Sequence, residues 1–225
     1  MSPRHQRGHR VKRILVTGFE PFDNDTVNPS WEVARRVDGW RCDKHEVVAR
    51  QLPCVFRAVR PQLAKLIKEL SPDIVIALGL AGGRVDFSLE RVAINVDDAR
   101  IPDNADEQPI DQPNVADGPA AYFSALPIKA MLRRLRAAGI PASVSNSAGT
   151  FVCNHTFYVA RHLAETGRHK FRAGFIHVPY LPEQAARHPG AASMSVDTLV
   201  AALKIAIETT IRVERDELVV AGATH

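Results

Sequence analysis

The chain has 225 residues, 45% hydrophobic but only 6% aromatic, which suits one sizeable domain with a mainly aliphatic core. No run approaches the roughly 18 apolar residues of a membrane span, and the start, MSPRHQRGHRVKR, lacks the apolar centre of a secretory signal, so a cytoplasmic setting is expected. The net charge of +4 is local: Arg4, Arg7, Arg10, Lys12 and Arg13 crowd the N-terminus with no acid, and without them the chain is slightly acidic. This argues against a nucleic-acid-binding domain and reads residues 1–12 as a basic, disordered tail. The three cysteines, Cys42, Cys54 and Cys153, are widely spaced with no C-x-x-C. They fit neither a disulfide framework nor a four-cysteine zinc site.

The predicted elements alternate. "RILVT", from Arg13 to Thr17, reads as a first strand ending at Gly18. Asn28-Pro29 then opens a helix, with Asn as cap and Pro in the first turn. Glu46 to Leu52 reads as a strand, and Val55 to Leu70 has helical spacing. "PDIVIALGL" is apolar on both faces, as a covered parallel strand should be. "RVAINV" reads as another strand, and the polar residues 98–118 as a long loop. Pro119 to Ala138 reads as a helix, "PASVSN" as a strand, Phe151 to Thr166 as a helix, "AGFIHVPY" as a strand, and Ser195 to Arg212 as a last helix. The alternation predicts an α/β domain over residues 13–213, with a mostly parallel sheet and a C-terminal extension from 214 to 225.

"SAGTFVCNH", from Ser147 to His155, raises the chemical question. Cys153 follows a strand by a short loop and falls in the first turn of a helix, where unpaired N–H groups and the helix dipole favour a thiolate. His177 ends the strand "GFIH". If the two strands are parallel neighbours, both residues share the carboxyl edge, where open α/β sheets hold their sites. Cys–His is a nucleophile arrangement suited to acyl transfer. Three readings stay open from spacing alone: a buried inert thiol, a nucleophile, or a metal pair with His155 that no further ligands complete. Glu90, read as opening a strand in "SLERVAIN", is a candidate to orient the imidazole or simply a solvated strand end. "GLAGGR" is not a G-x-G-x-x-G, and no helix follows it, so no nucleotide site is read there.

Several blocks, in order, carry a resemblance: "VTGFEPFDNDTVNPSW", "PDIVIALGLAGGR", "LERVAINVDDARIPDN", "GPAAYFSALPIKAM", "SNSAGTFVCNHTFY" and "GFIHVPYLPEQ". Together they resemble pyroglutamyl peptidase type I, also called pyrrolidone-carboxylate peptidase, over about residues 13–213. The resemblance implies a three-layer α/β/α sandwich with an open, mostly parallel twisted sheet, a homodimer or homotetramer, and no cofactor or metal. It puts Cys153 as nucleophile, His177 as general base and acid, and Glu90 as the imidazole's partner. Phe19 and Phe22 match ring-sandwiching phenylalanines, Arg100 matches a residue near the nucleophile, and backbone groups around Phe151 and Val152 are expected to bond the lactam. The implied substrates are N-terminally pyroglutamylated peptides. In one departure, Leu80 stands where bacterial members commonly carry Gln, whose amide can bond the lactam edge. Leu80 therefore keeps two alternatives in view: a related cysteine amidase for another small lactam or acyl group, and a peptide-end binder without turnover. A phosphorylase or dinucleotide-binding protein stays open from fold pattern alone.

Overall fold

The structure is a computed structural model that describes residues 11–222; the basic tail read over residues 1–12 lies almost wholly outside the described residues. In chain order the elements are β1 Lys12–Phe19, α1 Pro29–Arg35, β2 Arg41–Cys42, β3 His45–Leu52, α2 Phe56–Leu70, β4 Ile74–Leu80, β5 Phe87–Glu90, β6 Val92–Ile94, β7 Ala121–Phe123, α3 Ile128–Ala137, β8 Ala142–Ser145, α4 Val152–Thr166, β9 Arg172–Val178, α5 Pro182–Ala185 and α6 Val196–Arg212. The main sheet runs β2-β3-β1-β4-β9-β5-β8, and β6-β7 form a separate hairpin. Strands β3, β1, β4 and β9 are parallel. β5 runs against β9 and parallel to β8.

Alternation along each strand divides the core. Ile14 and Val16, Ile76 and Leu78, and Ile176 and Val178 pack with α1, α3 and α6 on one face. Leu15, Val75, Ala77, Ala173 and Phe175 pack with α2 and α4 on the other. A period-two strand with both faces covered gives this three-layer α/β/α sandwich. It also assigns Phe19, Gly79, Glu90 and His177 to the α4 face by parity alone. Asn28 caps α1 as expected, its side chain accepting from Ser30 N, with Pro29 in the first turn.

Four expectations are corrected. The strands holding "PASVSN" and "GFIH" are not parallel neighbours, because β5 lies between them. Glu90 ends β5 rather than opening a strand, since Phe87–Glu90 is itself an extended, fully buried run. "RVAINV" contributes only to the hairpin, outside the main sheet. The stretch 119–138 is helical only over Ile128–Ala137. The aromatic Ala121–Phe123 pairs with β6 instead, and the first turn of α3 is capped by Asp216, whose carboxylate accepts from Lys129 N and Ala130 N at 3.0 Å each. That contact, with the Arg133–Glu217 ion pair, ties the segment after α6 to the domain.

The long loop is ordered by its own bonds. Asp97 and Gln112 exchange backbone hydrogen bonds, and the Asp103 carboxylate accepts from Phe56 N, Ala105 N and Glu107 N. No helix of the described residues is long and apolar enough to cross a membrane.

Candidate active site

The site begins with a missing side chain. Gly79 pairs with His177 across β4 and β9. A Cβ on Gly79 would lie 2.7 Å from Cys153 Sγ and 2.7 Å from Phe175 Cζ. Sulfur from the first turn of α4 thus occupies the space glycine leaves, in the row of the sheet that carries the imidazole. His177 Nδ1 is 2.7 Å from Glu90 Oε1. A carboxylate only accepts, so Nδ1 donates, and in the neutral imidazole this tautomer leaves the lone pair on Nε2. Glu90 is 0% exposed and His177 4%, so this bond is shielded from water.

The loop from β8 to α4 aims the sulfur. Gly149 takes a left-handed φ of 76°, which a side chain would strain. Phe151, the helix N-cap, offers no side-chain acceptor to the first turn, so the N–H groups at the start of α4 have no intrahelical partner and no capping side chain. Asn154 holds the turn against β6, accepting from Ile94 N and donating to Ile94 O and Val96 O.

A cavity of about 240 Å³ opens over the sulfur, lined by Phe19, Phe22, Asn28, Cys54, Leu80, Ala81, Arg84, Ala148, Gly149, Phe151, Val152, Cys153 and His177. Of the nine residues that the family resemblance gave a role, it brings together all but two. Glu90 sits behind His177, and Arg100 is exposed and does not line the cavity. The expected carboxyl-edge location holds through β1, β4 and β9 rather than through a β8–β9 pair.

Burial pushes the Cys153 thiol well above the usual cysteine range, with smaller contributions from Cys54 and Glu90 in the same direction. Burial thus opposes the thiolate that the helix start was expected to favour. Cys54, also on the cavity wall, is pushed up to about 12 by burial, with Glu20 and Asp103 contributing. His155 turns away from the sulfur's side, with Nδ1 2.8 Å from Asp97 Oδ2 and its ring edge-on to Phe56. It is a packing residue, and among the described residues no group of three or more His, Cys, Asp or Glu could hold a metal.

A family model described as pyroglutamyl peptidase matches residues 12–213. The chain belongs to the pyroglutamyl peptidase family. It is 58% identical over 216 residues to a pyrrolidone-carboxylate peptidase of Cupriavidus pinatubonensis, covering 96% of this chain and 100% of that one. It is 59% identical over 213 residues to pyrrolidone-carboxylate peptidase 1 of Ralstonia nicotianae, covering 94% and 99%. The crystal structure of pyroglutamyl peptidase I from Bacillus amyloliquefaciens superposes with a TM-score of 0.90 at 45% identity, covering 92% and 99%. A mutant pyrrolidone carboxyl peptidase from Pyrococcus furiosus gives 0.87 at 43%, covering 89% and 98%.

Two contributors to this pyroglutamyl peptidase site carried no role in the sequence reading. Gly79 sat unremarked in an apolar run; its parity with His177 was the available signal. Arg84 closes "GLAGGR" and donates from Nη2 to Ser147 O and Ser145 Oγ, each at 2.9 Å, and to Glu90 Oε1 at 3.3 Å.

Proposed function

We propose that this chain is a cysteine exopeptidase that removes N-terminal pyroglutamate from peptides through a thioester, with Cys153 as nucleophile, His177 as base and acid, and Glu90 as the imidazole's partner. The observation that carries this is one aromatic-walled cavity holding Cys153 and His177, with Glu90 bonded behind the imidazole.

The chemistry follows from the bonds. As Sγ attacks the pyroglutamyl carbonyl carbon, its proton passes to His177 Nε2, so a raised thiol pKa is overcome during attack rather than before it. Negative charge moves to the carbonyl oxygen, which the N–H groups at the start of α4 stabilise; one such donor is worth roughly 10²–10³ in rate. His177 gives the proton to the departing amine, the C–N bond breaks, and pyroglutamyl remains on sulfur. Water then loses a proton to His177 and attacks the thioester, releasing pyroglutamate and restoring the thiol. Glu90 stabilises the imidazolium formed in each half-reaction. No step calls for a metal or cofactor. Phe19, Phe22 and Phe151 offer aromatic walls to a flat, mostly apolar ring. A cytoplasmic setting and a homo-oligomer belong to the same proposal; sedimentation would measure the latter.

Leu80 in the cavity wall favours a second reading of the acyl group, because leucine cannot bond the lactam's polar edge. A panel of coumarin amides carrying pyroglutamyl, prolyl, acetyl and larger lactam groups separates the two readings. The wild type is expected to prefer pyroglutamyl, and Leu80→Gln to raise kcat/KM on it by roughly 5-fold or more, the effect of adding one hydrogen bond. Preference for another acyl group favours the second reading, and no gain from Leu80→Gln means the pocket has repacked around leucine.

A further inference from the structure

We infer that Arg84 is a positioning residue that couples the two halves of the site: it holds Glu90 as the charged partner of His177 and clamps the loop that aims Cys153. The inference rests on the proposed roles of those three residues and adds a fourth that acts through them.

Glu90 has an unusual setting for a carboxylate. It is fully buried, and its Oε2 has no hydrogen-bond partner among the described residues. His177 Nδ1 and Arg84 Nη2 both meet it at Oε1. A neutral imidazole supplies one hydrogen bond but no charge, and an unpaired buried carboxylate is costly. Arg84 is the cation that meets it. The other groups facing Glu90 do not replace it. Ser145 Oγ, on β8, is uncharged and accepts from the same Arg84 Nη2. Cys153, on α4, supplies no cation, and its thiol is raised in part by Glu90 itself. Asp86, beyond Ser88 on the same edge, is an acid occupied by the Ser88 and Ser143 hydroxyls. Arg91, next in the chain, is turned away to Asn146 Oδ1 and Ala221 O.

The other half of the contact is mechanical. Ser147 O accepts from both Arg84 Nη2 and Ser145 Oγ, and Ser145 Oγ also accepts from Ser147 N. This knot fixes the start of the loop that runs through Gly149 and Phe151 to Cys153. Arg84 itself is set by a tight turn, its N–H donating to Ala81 O at 2.9 Å. Its side chain is one-third exposed and lines the cavity.

A positive charge beside the Glu90–His177 pair weakens that pair's hold on a proton; removing the charge strengthens it, whichever of the two residues carries the proton. The acid limb of activity therefore moves to higher pH when Arg84 loses its charge. In Arg84→Gln and Arg84→Met, the acid limb of kcat/KM on a pyroglutamyl-coumarin amide is expected to rise by about one pH unit, and the plateau to fall at least about tenfold. Arg84→Lys keeps the charge and is expected to return the limb to its wild-type position while recovering only part of the plateau, because one ammonium cannot reproduce the guanidinium's contacts. Glutamine, which can still donate to Ser147 O, serves if the methionine variant does not fold. The same limb is read independently from the rate of Cys153 alkylation by iodoacetamide, with mass spectrometry locating the label. A charge-free variant whose limb stays at the wild-type pH overturns the inference, whatever its plateau. A wild type that cleaves no pyroglutamyl amide would instead overturn the peptidase reading, and the alkylation limb would still decide the role of Arg84.

Discussion

Cys153→Ser is expected to lower kcat on a pyroglutamyl-coumarin amide by at least about 10³-fold while leaving the melting temperature close to that of the wild type. A serine hydroxyl is smaller than a thiol and fits the same place beside Gly79. It is also far less acidic and a weaker nucleophile, and burial already works against ionising even the thiol. His177 alone, as base, does not make up that difference. Cys54 is not expected to substitute, although it lines the same cavity: burial pushes its thiol up to about 12. Stopped assays with substrate in excess, alongside circular dichroism melts, separate loss of chemistry from loss of fold. A serine variant within tenfold of wild type would exclude Cys153 as the nucleophile.

The second large effect belongs to a residue with no functional group. Gly79→Ala is expected to cost on the order of 10²-fold in kcat/KM. The added methyl would sit 2.7 Å from both Cys153 Sγ and Phe175 Cζ, inside any real contact distance. Both neighbours are held, the sulfur by α4 and the ring by the core against Phe157. Relief therefore displaces sulfur relative to His177 by around an ångström, a shift that can cost 10²-fold in rate by itself. Overpacking also costs stability, about 1–3 kcal/mol. Gly174→Ala is the control. It is crowded as severely, by Ser124 Oγ at 2.5 Å and Leu126 Cδ1 at 2.6 Å, but not by the site. It should lose comparable stability and keep kcat/KM within a few fold. Equal losses of kcat/KM in both variants would mean that general strain, not displacement of the sulfur, sets the effect.

How far the sequence carried these conclusions differs by element. The start of α1 was legible because Asn28-Pro29 is a local signal: one side chain caps and one ring presets φ. β4 was legible because a strand covered on both faces is a continuous apolar run. β5 was not. It has four residues, ends in a charged one, and runs straight into β6, so no turn marks its end. With β5 hidden, the order β9-β5-β8 could not be read, because strand order is decided by contacts far apart in sequence. The Cys153–His177 meeting was expected for a partly wrong reason. The two residues come together through β4 and the space at Gly79, not through adjacent parallel strands.

The site residues show the same division. Spacing alone left Cys153 open between an inert thiol, a ligand and a nucleophile, and the family blocks were needed to choose. Phe19, Phe22, Leu80, Phe151 and Val152 do line the cavity, while Arg100, named on the same resemblance, stays exposed outside it. The helix start behind Cys153 is visible in sequence, while the desolvation that works against its thiolate is not. Burial arises from the packing of α4 on the sheet, and it is the largest influence on that thiol.

The most direct measurement is the mass of the peptide containing Cys153 after acid quench of the wild type reacting with an activated pyroglutamyl ester, whose acylation outruns hydrolysis of the thioester. A pyroglutamyl adduct is expected on Cys153, forming and decaying at the rate of turnover. Turnover with no adduct on that cysteine, or with the adduct on Cys54, would contradict it.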